Sequence, residues 1–220
     1  MHTDLKERVS WEKHSTGFAT KMLIKMNYGG KGLGKYENGI VEPIIINESR
    51  TLGGEEEPKK KLMYIASGSM LNQMDEKRLS TNSMDVKVRS HGGCKIRCMY
   101  THLPEIFKDK PEYILFHIGT NDCSEKTSDE VLRELKRLTD YVKKVLPTTV
   151  IIISLPTVRT DNTRSRAIQR NLTTKLKRSY YPILDNSNIL EADLGKKGLH
   201  FNNFGNRKMA GNIISLIKRL

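Results

Sequence analysis

From Leu62 onward, short apolar runs alternate with segments whose apolar residues recur at helical spacing. The run TVIIISLP, at 149–156, is continuous and rich in β-branched residues, which predicts a strand buried on both faces. Further strands are predicted at 62–67, at 85–90, from 112 onward and at 181–185. Because alternating strands and helices form parallel sheets that helices cover on both faces, residues 62–220 are predicted to have a three-layer α/β/α, flavodoxin-like fold.

The clearest predicted helix follows the third strand, in TSDEVLRELKRLTDYVKKVL. Its apolar stripe consists of Val131, Leu135, Leu138, Val142 and Val145. Thr127 and Glu130 have the spacing of a capping box, and Pro147 ends the helix. Other helices are predicted around 70–78, in the basic stretch at 158–178 and at 202–220.

The first 46 residues follow a different pattern. Phe18, Met22, Leu23 and Met26 recur at helical spacing and predict a short helix at about 17–26. The glycine-rich run GGKGLGKYENGIVEPI follows it directly. Segments with so many glycines lose much conformational entropy on ordering, so we expect this one to order on a partner.

The glycine-rich run fails as a phosphate-binding loop. Gly29, Gly34 and Lys35 match the first positions of that motif, but Tyr36 replaces the small hydroxyl residue that holds magnesium. A phosphate loop also follows a strand and opens a helix, whereas here a helix precedes the glycines. Nucleotide binding is therefore not predicted. A simple glycine-rich linker is the other alternative, although linkers do not keep Met, Leu, Tyr and Pro-Ile in register.

The residues that keep this register are Gly17, Met22, Met26, Tyr28, Gly30, Gly32, Leu33, Gly34, Gly39 and Pro43. This run resembles a G-patch, with one departure: Asn27 replaces the glycine at the corner after the helix. Asn tolerates positive φ better than most residues, so the departure is mild. The resemblance implies a nuclear adaptor in RNA processing that binds a DEAH-box RNA helicase. The helix would contact one helicase domain, and residues 33–46 would lie along another.

The charge is distributed unevenly between the two parts of the chain. The net charge is +13; residues 1–60 hold 10 basic and 9 acidic residues (+1), and residues 61–220 hold 28 and 16 (+12). The polar segment at 47–61 reads as a linker, so the predicted organisation is a G-patch segment at 1–46, this linker, and an α/β domain at 62–220. The densest basic stretch contains Arg159, Arg164, Arg166, Arg170, Lys175, Lys177 and Arg178. It indicates either contact with RNA or another nucleic acid, or a solvated helix face.

Candidate chemistry follows the predicted strands, where α/β sheets place their active sites. Ser69 follows the first strand, Gly93 the second and Asn121 the third, and His200 precedes the last helix. A serine, a histidine, a glycine N–H and an asparagine amide are the groups that acyl transfer requires.

These blocks resemble those of the SGNH (GDSL-like) hydrolases over about 62–220. Ser69 matches the nucleophile, Gly93 and Asn121 the oxyanion-binding positions, and His200, in KGLHFNNFG, the base; Gly119 and Asp122 complete the third block. The combination is also similar to esterase-like domains of some non-LTR retrotransposons. The resemblance implies an esterase of small acyl esters that needs no cofactor.

Two departures leave the activity open. The first block lacks its aspartate, reading Ser67-Gly68-Ser69, and Lys197 stands where the family has the acid that orients the histidine. Loss of an equivalent acid lowers the rate by about four orders of magnitude, and a lysine also opposes protonation of His200. The alternatives are a retained fold with a decayed site and a slow Ser–His dyad. Asp193 is a candidate substitute for the acid.

The remaining features exclude other classes of protein. Cys94, Cys98 and Cys123 form no disulfide framework. His91, Cys94 and Cys98 offer three metal ligands, but no fourth follows at zinc-site spacing, so no metal is expected. The chain shows neither a long apolar run nor a signal-peptide pattern, which predicts a soluble intracellular protein.

Overall fold

The computed structural model describes residues 59–220 and, within the first 58 residues, Lys25 alone. The predicted G-patch segment and most of the predicted linker therefore lie outside the described residues. Residues 59–220 belong to one compact unit, Glu56–Leu220.

A five-stranded parallel sheet forms the centre of this unit, in the order β2-β1-β3-β4-β5. The strands are β1 (Lys61–Gly68), β2 (Met84–His91), β3 (Tyr113–His117), β4 (Val150–Ser154) and β5 (Ile183–Leu184). Every pair of neighbours is parallel. The order is that of flavodoxin-like sheets, which confirms the predicted fold class.

Helices cover both faces of the sheet. They are α1 (Glu76–Leu79), α2 (Ile96–Lys108), α3 (Ser128–Val145), α4 (Thr163–Lys177) and α5 (Asn203–Ile217). On one face, α2, α3 and α4 pack against alternate strand residues such as Tyr64 and Phe116. On the other face, α1 and α5 pack against Met63, Ile65 and Leu115. The alternation of β1 side chains between the two faces therefore builds both halves of the core.

The predicted helix at 127–146 is confirmed, including its capping box: the Thr127 hydroxyl accepts from the Glu130 N–H, and the Glu130 carboxylate accepts from the Thr127 N–H. Val145, the last member of the predicted stripe, is exposed. Among the described helices, none has the length and apolar composition needed to cross a membrane.

One helix prediction was wrong, and one helix was not predicted. The single helix expected around 70–78 is a 3₁₀ turn, Ser69–Leu71, followed by the short α1, because the Asp75 carboxylate accepts from the Lys77 N–H and starts a new helix there. The helix α2 was not predicted, although it buries Ile96, Met99, Leu103 and Ile106 at helical spacing. Pro104, inside α2, interrupts the pattern that sequence analysis uses to recognise a helix.

Candidate active site

The strand order sets the position of the candidate site. β1 lies between β2 and β3 in the sheet. The chain passes from β1 to β2 on one side, and then crosses over β1 to form β3 on its other side. Ligands of such sheets bind in the crevice at the carboxyl ends of the strands where this reversal occurs. Ser69 directly follows β1, and Asn121 lies four residues after the end of β3.

Ser69 and His200 meet in this crevice. The Ser69 Oγ lies 2.9 Å from the His200 Nε2, which is hydrogen-bond distance. His200 is carried by a tight loop at 194–201, closed by an antiparallel bridge between Leu194 and Phe201 and by a 2.7 Å hydrogen bond from the Gly195 N–H to the His200 carbonyl. This loop brings the His200 imidazole to Ser69, although the two residues are 131 positions apart in sequence.

The Asn121 amide lies beside the serine. One of its N–H groups donates to the Cys94 carbonyl at 3.1 Å, and a β-carbon on Gly68 would lie 3.5 Å from the Asn121 Nδ2. An amide nitrogen carries two N–H groups, so one stays available to a substrate. Gly93 occupies a turn with φ of +68° that the Cys94 N–H closes by donating to the His91 carbonyl. Cys94, rather than Gly93, lines the cleft around Ser69.

The space around the dyad is limited. The cleft between Ser69, Asn121 and Leu199 has a volume of about 10 Å³, close to that of one water molecule. A second cavity of about 160 Å³ lies against His200, Phe201 and Asn206. The space next to the two side chains is therefore small.

No carboxylate supports His200 within the described part of the chain, where the imidazole has one hydrogen bond, to Ser69. Lys197 is exposed on the same loop. Asp193 is buried and accepts from the Leu190 N–H at 2.7 Å and from the Lys208 Nζ at 2.6 Å. These two contacts hold the pKa of Asp193 below its usual value. Asp193 therefore fixes the base of the loop and does not replace the missing acid.

Arg159, Thr160 and Asp161 form a brace between the loop that contains Thr120 and Asn121 and the loop at 194–201 that carries His200. The Arg159 guanidinium donates to the Thr120 carbonyl at 3.0 Å and forms a bidentate pair with Asp161. The Thr160 N–H then donates to the Gly198 carbonyl at 2.8 Å. Arg159 is only 6% exposed. Its assignment as a nucleic-acid contact is corrected: Arg159 stabilises the site loops and is not free to bind a phosphate.

The other basic residues lie on or directly after α4. Arg164, Arg170 and Arg178 are exposed and form no ion pair with described residues. Arg166 pairs with Glu191, Lys175 with Asp129 at 2.5 Å, and Lys177 with Asp185 at 3.0 Å. The pairs neutralise part of the predicted basic surface.

A groove of about 550 Å³ runs between α4 and the segment after β5. Arg166, Arg170 and Lys177 line one side, and Asn186 lines the other. Gln169 also lines it, and both polar atoms of this side chain are buried without a partner among the described residues. The groove therefore offers polar groups that could bind a ligand. Of these, the sequence pattern had indicated only the basic residues.

A buried polar group that no sequence motif marks lies under the cleft. His117, at the end of β3, is 3% exposed, and its Nδ1 lies 2.8 Å from the Ser154 Oγ. The Asn186 amide donates to the same hydroxyl at 2.9 Å. Burial lowers the pKa of His117 to about 4, so the ring is neutral near pH 7. The residue belongs to no motif, and only the sheet register brings it to Ser154.

No family model matches the chain. Among curated proteins, a zinc finger CCCH-type with G patch domain-containing protein from Salmo salar is 35% identical over 92 residues, which is 38% of this chain and 16% of that protein. Its Xenopus laevis counterpart is 28% identical over 148 residues, 64% of this chain and 25% of that protein. Tuftelin-interacting protein 11 from Danio rerio is 58% identical over 36 residues, 16% of this chain and 4% of that protein. The chain thus spans about a quarter or less of the length of these relatives.

Solved structures match over most of the chain. A member of the lipolytic G-D-S-L family from Veillonella parvula has a TM-score of 0.59 at 20% identity, covering 73% of this chain and all of that one. An acetylxylan esterase from Geobacillus stearothermophilus, solved as a catalytic mutant, has a TM-score of 0.57 at 14% identity, covering 73% and 94%. Identities this low show the fold alone. The chain therefore combines similarity to G-patch proteins with an α/β domain that has the fold of the SGNH (GDSL-like) hydrolases.

Proposed function

We propose that residues 62–220 are a slow serine esterase that uses Ser69 and His200 as a catalytic dyad. The observation that carries this proposal is the 2.9 Å distance between the Ser69 Oγ and the His200 Nε2. A nucleophile within hydrogen-bond distance of its base is the geometric requirement for activation. A decayed site has no need to keep these two side chains together.

The reaction would proceed by acyl transfer. The Ser69 Oγ attacks the ester carbonyl while the His200 Nε2 takes the hydroxyl proton, and the free Asn121 N–H stabilises the oxyanion. The imidazolium then gives its proton to the leaving alcohol. Water, deprotonated by His200, hydrolyses the acyl-enzyme and restores the serine.

The rate is expected to be low for a physical reason. Among residues 59–220 no carboxylate lies at the His200 Nδ1 to fix the tautomer of the ring or to stabilise its protonated form. Lys197, three residues away, adds a positive charge to the same loop.

Turnover of p-nitrophenyl acetate by the full chain tests the proposal, with Ser69→Ala as the active-site variant. Ser83→Ala is the matched control, because Ser83 precedes β2 and therefore lies at the amino ends of the strands, away from Ser69. We expect Ser69→Ala alone to abolish turnover above background, and a fluorophosphonate to label wild-type protein at Ser69. Equal turnover by wild type and Ser69→Ala, with no labelling, would overturn the proposal.

A second function is favoured by the sequence comparisons: the segment at 1–46 acts as a G-patch that binds and stimulates a DEAH-box RNA helicase. The support is the 58% identity to tuftelin-interacting protein 11 over 36 residues, together with relatives named for their G-patch. The adaptor role also agrees with the glycine-rich register at 29–44. A nuclear location is part of this proposal.

RNA-stimulated ATPase activity of DEAH-box helicases, measured with and without the full chain, tests the adaptor role. We expect stimulation by wild type and its loss in Leu33→Ala and Gly34→Asp. Ser69→Ala should stimulate as well as wild type, which separates this function from the esterase. Absence of binding and stimulation across a panel of DEAH-box helicases would refute the role.

A further inference from the structure

A cluster of metal-ligating side chains lies next to the candidate active site. Cys94 precedes α2, and Cys98 and His102 are one turn apart on that helix. The ligand atoms of these three residues all lie within 4.8 Å of one another. The His102 Nε2 is 3.6 Å from the Cys98 Sγ, so it already faces the sulfur atoms.

His91 supplies a fourth donor at the end of β2. Its ring stacks on that of His102, with centroids 3.4 Å apart and planes 8° apart. The His91 Nε2 is buried and has no hydrogen-bond partner among the described residues. A buried ring nitrogen without a partner is unfavourable, and a bound cation would satisfy it.

We propose that His91, Cys94, Cys98 and His102 bind one zinc ion when both cysteines are reduced. Two thiolates and two imidazoles form the Cys₂His₂ ligand set of structural zinc sites. Three ligands already converge, and His91, whose ring stacks on that of His102, would join them as the fourth by a side-chain rotation. Metals of the alkaline-earth class prefer oxygen ligands, which the cluster lacks.

The metal-bound and disulfide forms are alternatives. Cys94 and Cys98 form a disulfide in the structure, with their α-carbons 5.5 Å apart. The same proximity brings both sulfur atoms to one ion in the dithiol form. Binding replaces two thiol protons with zinc and releases them to solvent, so it requires no oxidant or reductant beyond one that keeps the dithiol reduced.

Such a site would stabilise the wall of the active-site cleft. His91 and Cys94 flank the turn that contains Gly92 and Gly93. The Cys94 carbonyl accepts from the Asn121 amide. A zinc ion linking β2 to α2 would therefore hold in place the Cys94 carbonyl that orients the Asn121 amide, without touching the substrate.

Metal analysis of the full chain, purified without a histidine tag and under a phosphine reductant, tests the proposal. We expect about one zinc per chain by mass spectrometry and, after exchange to Co²⁺, a sulfur-to-cobalt charge-transfer band with tetrahedral d–d bands. Cys98→Ser should lose most of the charge-transfer intensity. His91→Asn and His102→Asn should each weaken Co²⁺ binding at least about tenfold.

Cys123→Ala is the matched control, because Cys123 is a buried thiol outside the cluster; it should bind Co²⁺ like wild type. Circular dichroism identifies any variant that fails to fold, and the wild-type titration does not depend on the variants. Folded, reduced wild type with three titratable thiols but no cobalt–thiolate band would overturn the proposal. Persistence of the Cys94–Cys98 disulfide under the reductant would also overturn it.

Discussion

At the scale of single residues, the proposed esterase activity depends on what supports His200. His200 contacts Ser69 through Nε2, and within the described residues Nδ1 has no hydrogen-bond partner. In a triad an acid holds Nδ1 and stabilises the imidazolium, and losing it lowers the rate by about four orders of magnitude. Lys197 lies three residues before His200, at the position where the resemblance to SGNH hydrolases implies this acid.

We therefore expect Lys197→Asp to raise kcat/KM for p-nitrophenyl acetate, by up to about 10⁴-fold. The gain should require the carboxylate to be three residues before His200. Lys196→Asp, which places the same charge one residue earlier, is therefore the control. Lys197→Ala separates removal of the cation from addition of the acid. Equal gains for Lys196→Asp and Lys197→Asp would show a general charge effect and contradict the triad explanation.

His117 makes the second residue-scale prediction, which concerns stability. Its folded-state pKa is lowered from 6.5 to about 4, because burial disfavours the charged ring. Below pH 6.5 the His117 ring takes up a proton in the unfolded chain but not in the folded chain. The free energy of unfolding therefore falls as the pH falls. The loss is complete near pH 4 and amounts to about 3 kcal/mol.

Urea unfolding between pH 7.5 and 4 measures this effect. His117→Asn keeps a polar partner for Ser154 but has no ring to titrate, so the difference in unfolding free energy between wild type and variant should shrink toward low pH. Ser83→Ala is the control, since Ser83 is exposed and its substitution removes no titratable group, and it should keep the wild-type slope. Parallel pH profiles for wild type and His117→Asn would refute the assignment.

At the scale of elements, the loop at 194–201 depends on a glycine. Gly198 has φ of +66°, and a β-carbon there would lie 2.1 Å from the Thr160 Oγ1 and 3.0 Å from the Asp161 N. Gly198→Ala should therefore push the His200 loop away from its brace. We expect a loss of about 1–3 kcal/mol in unfolding free energy and weaker labelling of Ser69 by a fluorophosphonate.

Gly211→Ala provides the comparison, because an added β-carbon on α5 meets nothing within 4 Å. It should be neutral or should stabilise the protein by about 0.5–1 kcal/mol. Chemical denaturation of both variants decides the matter. Equal stability and equal labelling of the two would mean that the brace does not position His200.

The elements also show which parts of the structure the sequence predicts and which it does not. Strands such as β4 were predicted because a buried parallel strand is a continuous apolar run. The helix α2 was missed because Pro104 lies inside it, and the fourth candidate metal ligand, His102, was missed with it. Ser69 and His200 were found from local motifs. The Arg159 brace joins residues 39 positions apart, and no local pattern encodes such a contact.

At the scale of the whole molecule, the charge excess of +12 in residues 61–220 is only partly available. Arg159 is buried, and Arg166, Lys175 and Lys177 have acidic partners, which leaves Arg164, Arg170 and Arg178 as the exposed, unpaired members of the basic stretch within the described residues. Arg170 lines the groove between α4 and the segment after β5. Nucleic-acid binding, if it uses this stretch, should therefore depend on few side chains.

The double substitution Arg164→Gln plus Arg170→Gln tests this expectation with fluorescein-labelled oligouridine. Wild-type affinity should fall as salt rises, because each phosphate contact on a single strand contributes about 0.7 to the slope of log K against log salt. The variant should bind more weakly and reduce that slope by about 1.4. Lys108→Gln plus Lys110→Gln removes the same charge near the end of α2, away from the groove, and should change little. Equal losses of affinity in the two double variants would mean that net charge, and not the surface of α4, attracts the RNA. An affinity that does not change with salt would exclude phosphate contacts altogether.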